Sequence, residues 1–140
     1  MILYCDTSAL LKLYVLEAES ALIKERLAEA EAVAACRIAW AEAHAALSRR
    51  AREVPEDNAV IELAKQALAA DWPHFVILEI DQALVERAGE YADTFALRGY
   101  DSIQLAAAYE TARVTQLPTL FACFDNRLNK AAKVLGLSCL

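Results

Sequence analysis

Several things are missing from this 140-residue chain, and each absence narrows what it can be. No apolar stretch reaches the roughly 18 residues that a membrane-spanning helix needs. The opening, Met1-Ile2-Leu3-Tyr4-Cys5-Asp6, has neither the basic leader nor the small-residue cleavage site of a secretory signal. It reads as a strand, and the chain is expected in the cytoplasm. No linker, internal repeat, low-complexity segment or long charge block interrupts it. With 58% apolar residues it is expected to fold as a single domain over residues 1–140. None of the four cysteines forms a C-x-x-C pair, and His44 and His74 lie far from all of them in sequence. That spacing argues against zinc and for reduced thiols acting as small buried hydrophobes. Positive charge is scarce as well: 14 Lys and Arg against 20 Asp and Glu leave a net charge of −6. A simple nucleic-acid-binding face would have the opposite sign.

What is present is a regular alternation of apolar runs and helical patterns. Residues 1–6 read as a strand, followed by a helix over Ala9–Tyr14 that Thr7 or Ser8 can cap. A second helix is expected from about Ser20 to Leu27, and a weak strand over Ala32–Cys36. An Ala-rich helix from Ile38 to about Arg52 stops at Pro55, which suits the start of the next, about Glu56 to Asp71. His74–Ile80, a continuous apolar run, reads as the clearest central strand, of the kind parallel sheets bury on both faces. Asp81 caps a helix through about Phe95, Gly99 marks a turn, and Asp101 opens another helix. Pro118 precedes a strand ending at Phe124. A helix runs from Asn126 to Leu135, and Leu137–Leu140 can add an edge strand after Gly136. Such alternation calls for an α/β fold with a mostly parallel sheet covered on both faces.

Four acidic residues stand out against this background. Asp6, Asp101 and Asp125 each sit where an apolar run or turn gives way to a helix, and Glu42 is embedded in an apolar helix. Strand C-termini of a parallel sheet meet along one edge, so residues there can converge. Converging carboxylates repel one another and titrate abnormally unless a cation sits among them. The pattern points to a hard-metal site and to Mg²⁺-dependent phosphate chemistry. Each aspartate can also be explained as a helix cap, and Asp81 serves as the internal control, a strand-end cap with nothing chemical beside it. Glu42 can equally be a solvated residue on an Ala-rich helix. Part of the net acidity would then belong to the site. The basic residues also cluster, as Arg49, Arg50 and Arg52 and as Arg127, Lys130 and Lys133.

Together these residues resemble a known family. Asp6-Thr7-Ser8-Ala9-Leu10 is similar to the D-x-S-x-L opening of PIN-domain ribonucleases. Ala41-Glu42, with Ala46-Leu47 and Arg49-Arg50, resembles their second acidic motif. Tyr100-Asp101 through Leu105-Ala106 resembles the third, with Ser102 and Gln104 where Ala and His are common and Arg37 where Ser or Thr often precedes the glutamate motif. Asp125-Asn126-Arg127-Leu128, with Ala131-Ala132 and Gly136, resembles the fourth. Order, spacing and length are similar to those of VapC toxins, the nuclease half of type II VapBC toxin–antitoxin pairs.

The resemblance implies a three-layer α/β/α PIN-like domain with a four- or five-stranded, mostly parallel sheet. It implies an endoribonuclease that hydrolyses RNA phosphodiester bonds with Mg²⁺ or Mn²⁺, forms a homodimer, and is held inactive by a cognate VapB-type antitoxin. On that basis Asp6, Glu42, Asp101 and Asp125 are the expected catalytic acids. Asp6 and Asp101 are the expected principal metal ligands, and Ser8 positions a ligand, water or phosphate oxygen. Arg49, Arg98 or Arg127 could hold the RNA backbone. Two other readings compete: a PIN-like binding module without catalysis, which would lack one of the acids, and an aspartate-based phosphotransferase. The latter wants a D-x-D pair and a strand-end lysine, whereas Ser8 occupies the D-x-D position and Lys12 lies within a helix.

Overall fold

The computed structural model describes all 140 residues. Five strands, β1 (Ile2–Cys5), β2 (Ala32–Cys36), β3 (Val76–Leu78), β4 (Thr119–Ala122) and β5 (Ser138–Cys139), form one sheet in the order β3-β2-β1-β4-β5. Every pairing is parallel. Seven α-helices connect them: α1 (Thr7–Leu11), α2 (Ser20–Glu29), α3 (Ala39–Glu53), α4 (Asn58–Asp71), α5 (Gln82–Phe95), α6 (Gly99–Thr115) and α7 (Asn126–Val134).

Alternation along the strands decides which helices cover which face. Ile2 and Tyr4 of β1, with Ala34 and Cys36 of β2, face a core completed by Leu84, Ala88 and Tyr91 of α5, Leu105 and Ala108 of α6, and Leu128 of α7. Leu3 and Cys5, with Val33 and Ala35, face the other core, completed by Ala9 and Leu10, Ile23, Ala39 and Ala43, and Leu68 of the first four helices. The result is the α/β/α sandwich expected. A smaller cluster of Val15, Leu47, Ile61 and Ala64 fastens the α3–α4 pair.

Three details differ from the reading of the sequence. Only Val76–Leu78 of the run His74–Ile80 pairs in the sheet, and it forms an edge strand rather than a central one. Trp72–His74 is instead a 3₁₀ turn. The apolar run is explained by helices over both faces of the edge: Val76 and Ile80 pack into one core, Phe75 and Ile77 into the other. The Ala-rich run Ala32–Cys36, which looked weak, lies between β1 and β3, where small side chains let the helical layers close on the sheet. Gly99 is the first residue of α6 rather than a turn. A single glycine carries a necessary left-handed conformation: Gly136, with φ +83, ends α7 and turns the chain into β5.

The strand order places a switch point at β1. The chain moves outward through β2 and β3, then returns to build β4 and β5 on the other flank. Open parallel sheets bind ligands outside the strand C-termini at such points. Asp6 follows β1, and Asp125 lies shortly after β4.

Candidate active site

Asp6 is half-buried directly beyond β1 and caps α1, a role expected of Thr7 or Ser8. Its Oδ1 accepts the Ala9 amide at 2.8 Å and the Ser8 hydroxyl at 2.9 Å. Burial raises its pKa above the ordinary carboxylate value. The Ala9 amide, the Ser8 hydroxyl and the Cys123 thiol oppose that rise, and the negative charge of Asp101 reinforces it. Asp101 lies in the first turn of α6, where the helix dipole favours a carboxylate. Asp6 and Asp101 are therefore a like-charged pair brought together from sequence positions 95 apart.

Glu42 enters from the first turn of α3. It is half-buried, and its Oε1 accepts both the Thr7 hydroxyl at 2.9 Å and the Gln104 amide at 3.3 Å. No group donates to Oε2. Gln104 Oε1 accepts the hydroxyl of Tyr4, a wholly buried side chain, at 2.6 Å. Elements β1, α1, α3 and α6 thus meet in one polar network behind the acids. Tyr4 and the positional role of Gln104 were not read from the sequence. The available signal was spacing: Gln104 stands three residues after Asp101, on the same face of the helix, as a polar residue in an apolar run. Of the two hydroxyls after Asp6, that of Ser8 serves Asp6 and that of Thr7 serves Glu42.

Asp125 is exposed and caps α7, its Oδ1 accepting the Leu128 amide at 2.9 Å. Asp81 makes the same bond to Leu84 at 2.9 Å. Capping therefore does not separate the candidate acids from the control, but location does. Asp81 follows the edge strand β3, whereas Asp6 and Asp125 follow the adjacent central strands. Replacing Asp81 with alanine should cost about 1 kcal/mol of stability, the usual cap contribution. Activity at the site should be unaffected, as paired thermal melts and rate measurements would check.

No three of the chain's His, Cys, Asp and Glu residues stand close enough to cage an ion on their own. The charge of Asp101 acts on Asp6, Glu42 is tied to Thr7, the residue after Asp6, and Asp125 lies beyond the adjacent strand β4. Such a set suits Mg²⁺, which takes only one or two carboxylates directly and keeps several waters. The donors are all oxygen, a hard-cation set. None of the four acids pairs with a lysine or arginine. Glu17, by contrast, pairs with Lys12 at 3.3 Å and Arg50 at 3.1 Å. Burial pushes the thiols of Cys5, Cys36 and Cys123 up, which favours their protonated form. All four cysteines are free.

Charge around the site sorts the basic candidates. Arg49 pairs with Glu53 and Arg50 with Glu17, so both are occupied. Arg98, three residues before Asp101, and Arg127, two after Asp125, are exposed and pair with no carboxylate. Arg127 only donates to the Ala96 carbonyl, at 3.5 Å.

The PIN domain family model matches residues 3–134. Ribonuclease VapC45 of Mycobacterium tuberculosis is 32% identical over 139 residues, covering 96% of this chain and 92% of that protein. The crystal structure of Mycobacterium tuberculosis VapC20, a sarcin-ricin loop cleaving toxin, has the same fold. Its TM-score is 0.66 at 19% identity, over 92% of this chain and 94% of that one. A chain in the toxin–antitoxin complex from Klebsiella pneumoniae also shares the fold, with a TM-score of 0.57 at 23% identity over 86% and 84% of the two chains.

Proposed function

Because the chain belongs to the PIN domain family, among its VapC ribonucleases, we propose that it is a Mg²⁺- or Mn²⁺-dependent endoribonuclease toxin. One observation carries the reading. The negative charge of Asp101 acts on the half-buried Asp6 at the sheet's switch point, and no lysine or arginine pairs with either carboxylate. Asp6 and Asp101 would hold the ion, with Glu42 and Asp125 completing its surroundings directly or through water. A divalent cation there supplies a more acidic water and neutralises charge on the phosphate under attack.

The chain's own residues do the rest. Ser8 and the Ala9 amide both donate to Oδ1 of Asp6, which fixes the carboxylate. Thr7 and Gln104 do the same for Glu42. Arg98 and Arg127 hold RNA phosphates on either side of the acids, positioning the backbone without reading its bases. The free arginines beside the site make up for a net negative charge elsewhere, and association with RNA is expected to weaken steeply with salt.

We also assign the chain a cognate VapB-type antitoxin and a homodimeric state, with the cytoplasm as its place of action. Exposed apolar residues such as Val60 and Leu63 of α4 supply surface for such contacts. No helix is long and apolar enough to cross a membrane.

The test is direct. Purified protein should cleave RNA in millimolar Mg²⁺ or Mn²⁺, stop when EDTA is added, and resume when the cation is restored in excess. Cleavage at an undiminished rate in EDTA, with contaminating nuclease excluded, would overturn the metal assignment. No cleavage of any RNA under either condition would favour a binding module.

A further inference from the structure

Gln104 is 5% exposed and Tyr4 wholly buried. Buried polar groups need partners, and these two find each other. The Tyr4 hydroxyl has a single proton to donate, and it goes to Gln104 Oε1 at 2.6 Å. That leaves Nε2 directed at Glu42 Oε1, 3.3 Å away, and at Thr7 Oγ1, 3.5 Å away. Turning the amide over would set its carbonyl oxygen against the Glu42 carboxylate, two acceptors facing each other, and would leave the tyrosine proton without an acceptor. The orientation is therefore determined from both ends. Tyr4 itself cannot shift, since it lies against Phe121 with ring centroids 5.7 Å apart.

We propose that Gln104, locked by Tyr4, is the positioning residue that sets the rotamer of Glu42 and so presents Oε2 to the reaction; what that presentation serves rests on the nuclease reading above. Two donors converge on Oε1 of Glu42, and none reaches Oε2. Without the Gln104 amide, Thr7 alone restrains the carboxylate, which can rotate and take the free oxygen away. The same contact joins α6, which carries Asp101, to α3, which carries Glu42. Gln104 thus sets the relation between two acids that the sequence leaves 59 positions apart.

Four proteins test this: Gln104→Met, which keeps length and volume but cannot donate; Tyr4→Phe, which removes only the hydroxyl; Glu42→Gln; and the double variant Gln104→Met/Glu42→Gln. Gln104→Met should lower kcat for RNA cleavage by about tenfold to a hundredfold, the range seen when outer-sphere partners are lost, with KM little changed. Tyr4→Phe should lower it less. In the Glu42→Gln background Gln104→Met should add nothing further, because residues acting through one another are not additive. Independently of activity, the Gln104 side-chain amide resonances in a ¹⁵N–¹H spectrum should move in both Glu42→Gln and Tyr4→Phe. Full additivity in the double variant, or Gln104 amide resonances unmoved by Glu42→Gln, would overturn the proposal. If wild-type protein cleaves no RNA, the nuclease reading falls, and the resonance shifts still decide the positioning claim. Should Gln104→Met fail to fold, Tyr4→Phe and Glu42→Gln carry the same spectroscopic test.

Discussion

Replacing Asp6 with asparagine should raise the melting temperature at neutral pH and abolish RNA cleavage. The two effects share one cause. Burial, reinforced by Asp101, disfavours the ionised carboxyl of Asp6 in the folded protein, so its folded pKa lies above its unfolded value. A carboxyl raised in this way is least costly in acid, below the unfolded pKa of about 3.9, where both states are protonated. Its contribution becomes less favourable as pH climbs from there through the folded pKa, and stays at that level above it. At neutral pH the full penalty applies, and asparagine removes it. Asparagine also keeps the local structure, because its Oδ1 can still accept the Ala9 amide and cap α1. The gain in melting temperature should therefore be clear near pH 7 without divalent cations and disappear in acid. Melts across pH, beside cleavage assays, would show it. A variant that melts lower at pH 7, or cuts RNA at the wild-type rate, contradicts the assignment.

The largest loss of stability is expected from Phe121→Ala. Phe121 is wholly buried on β4 and packs its ring on Tyr4. Truncation removes most of an aromatic side chain from a rigid core, and neither β1 nor β4 can collapse into the void without breaking pairing. The cost should be about 3–5 kcal/mol, the range for Phe→Ala in cores. In a chain of this size that corresponds to a fall in melting temperature on the order of 10 °C or more. The void also frees the Tyr4 ring, so activity at temperatures where the variant is still folded should fall through the Gln104–Glu42 link. Urea denaturation would give the free energy directly. A loss below about 1 kcal/mol would mean that the site collapses far more readily than core phenylalanines generally do.

Much of this architecture was legible in the sequence because its determinants are local. The apolar run before Asp6, the helix over residues 39–53 and the cap at Asp81 each depend on neighbours a few residues away. Strand order does not. His74–Ile80 looked central because it is apolar throughout, but apolarity reports that both faces are covered, not how many strands flank the segment. The modest Ala32–Cys36 is interior for the complementary reason: alanines permit close packing and give little pattern to read. The site divides the same way. Asp6, Asp101 and Asp125 announce themselves at the starts of helices. Tyr4, in contrast, is indistinguishable from any buried strand aromatic until the fold brings α6 against β1. Thr7 and Ser8, adjacent in sequence, serve different carboxylates, and no spacing rule assigns them.

In the proposed function, Asp6 and Asp101 make a cation site at the sheet's switch point. Calorimetric titration of Mn²⁺ into the wild-type protein, Asp6→Asn and Asp81→Asn tests that claim most directly. Binding should be present in the wild type, lost in Asp6→Asn and unchanged in Asp81→Asn, since both asparagines retain their caps. Equal Mn²⁺ affinity in the wild type and Asp6→Asn would contradict it.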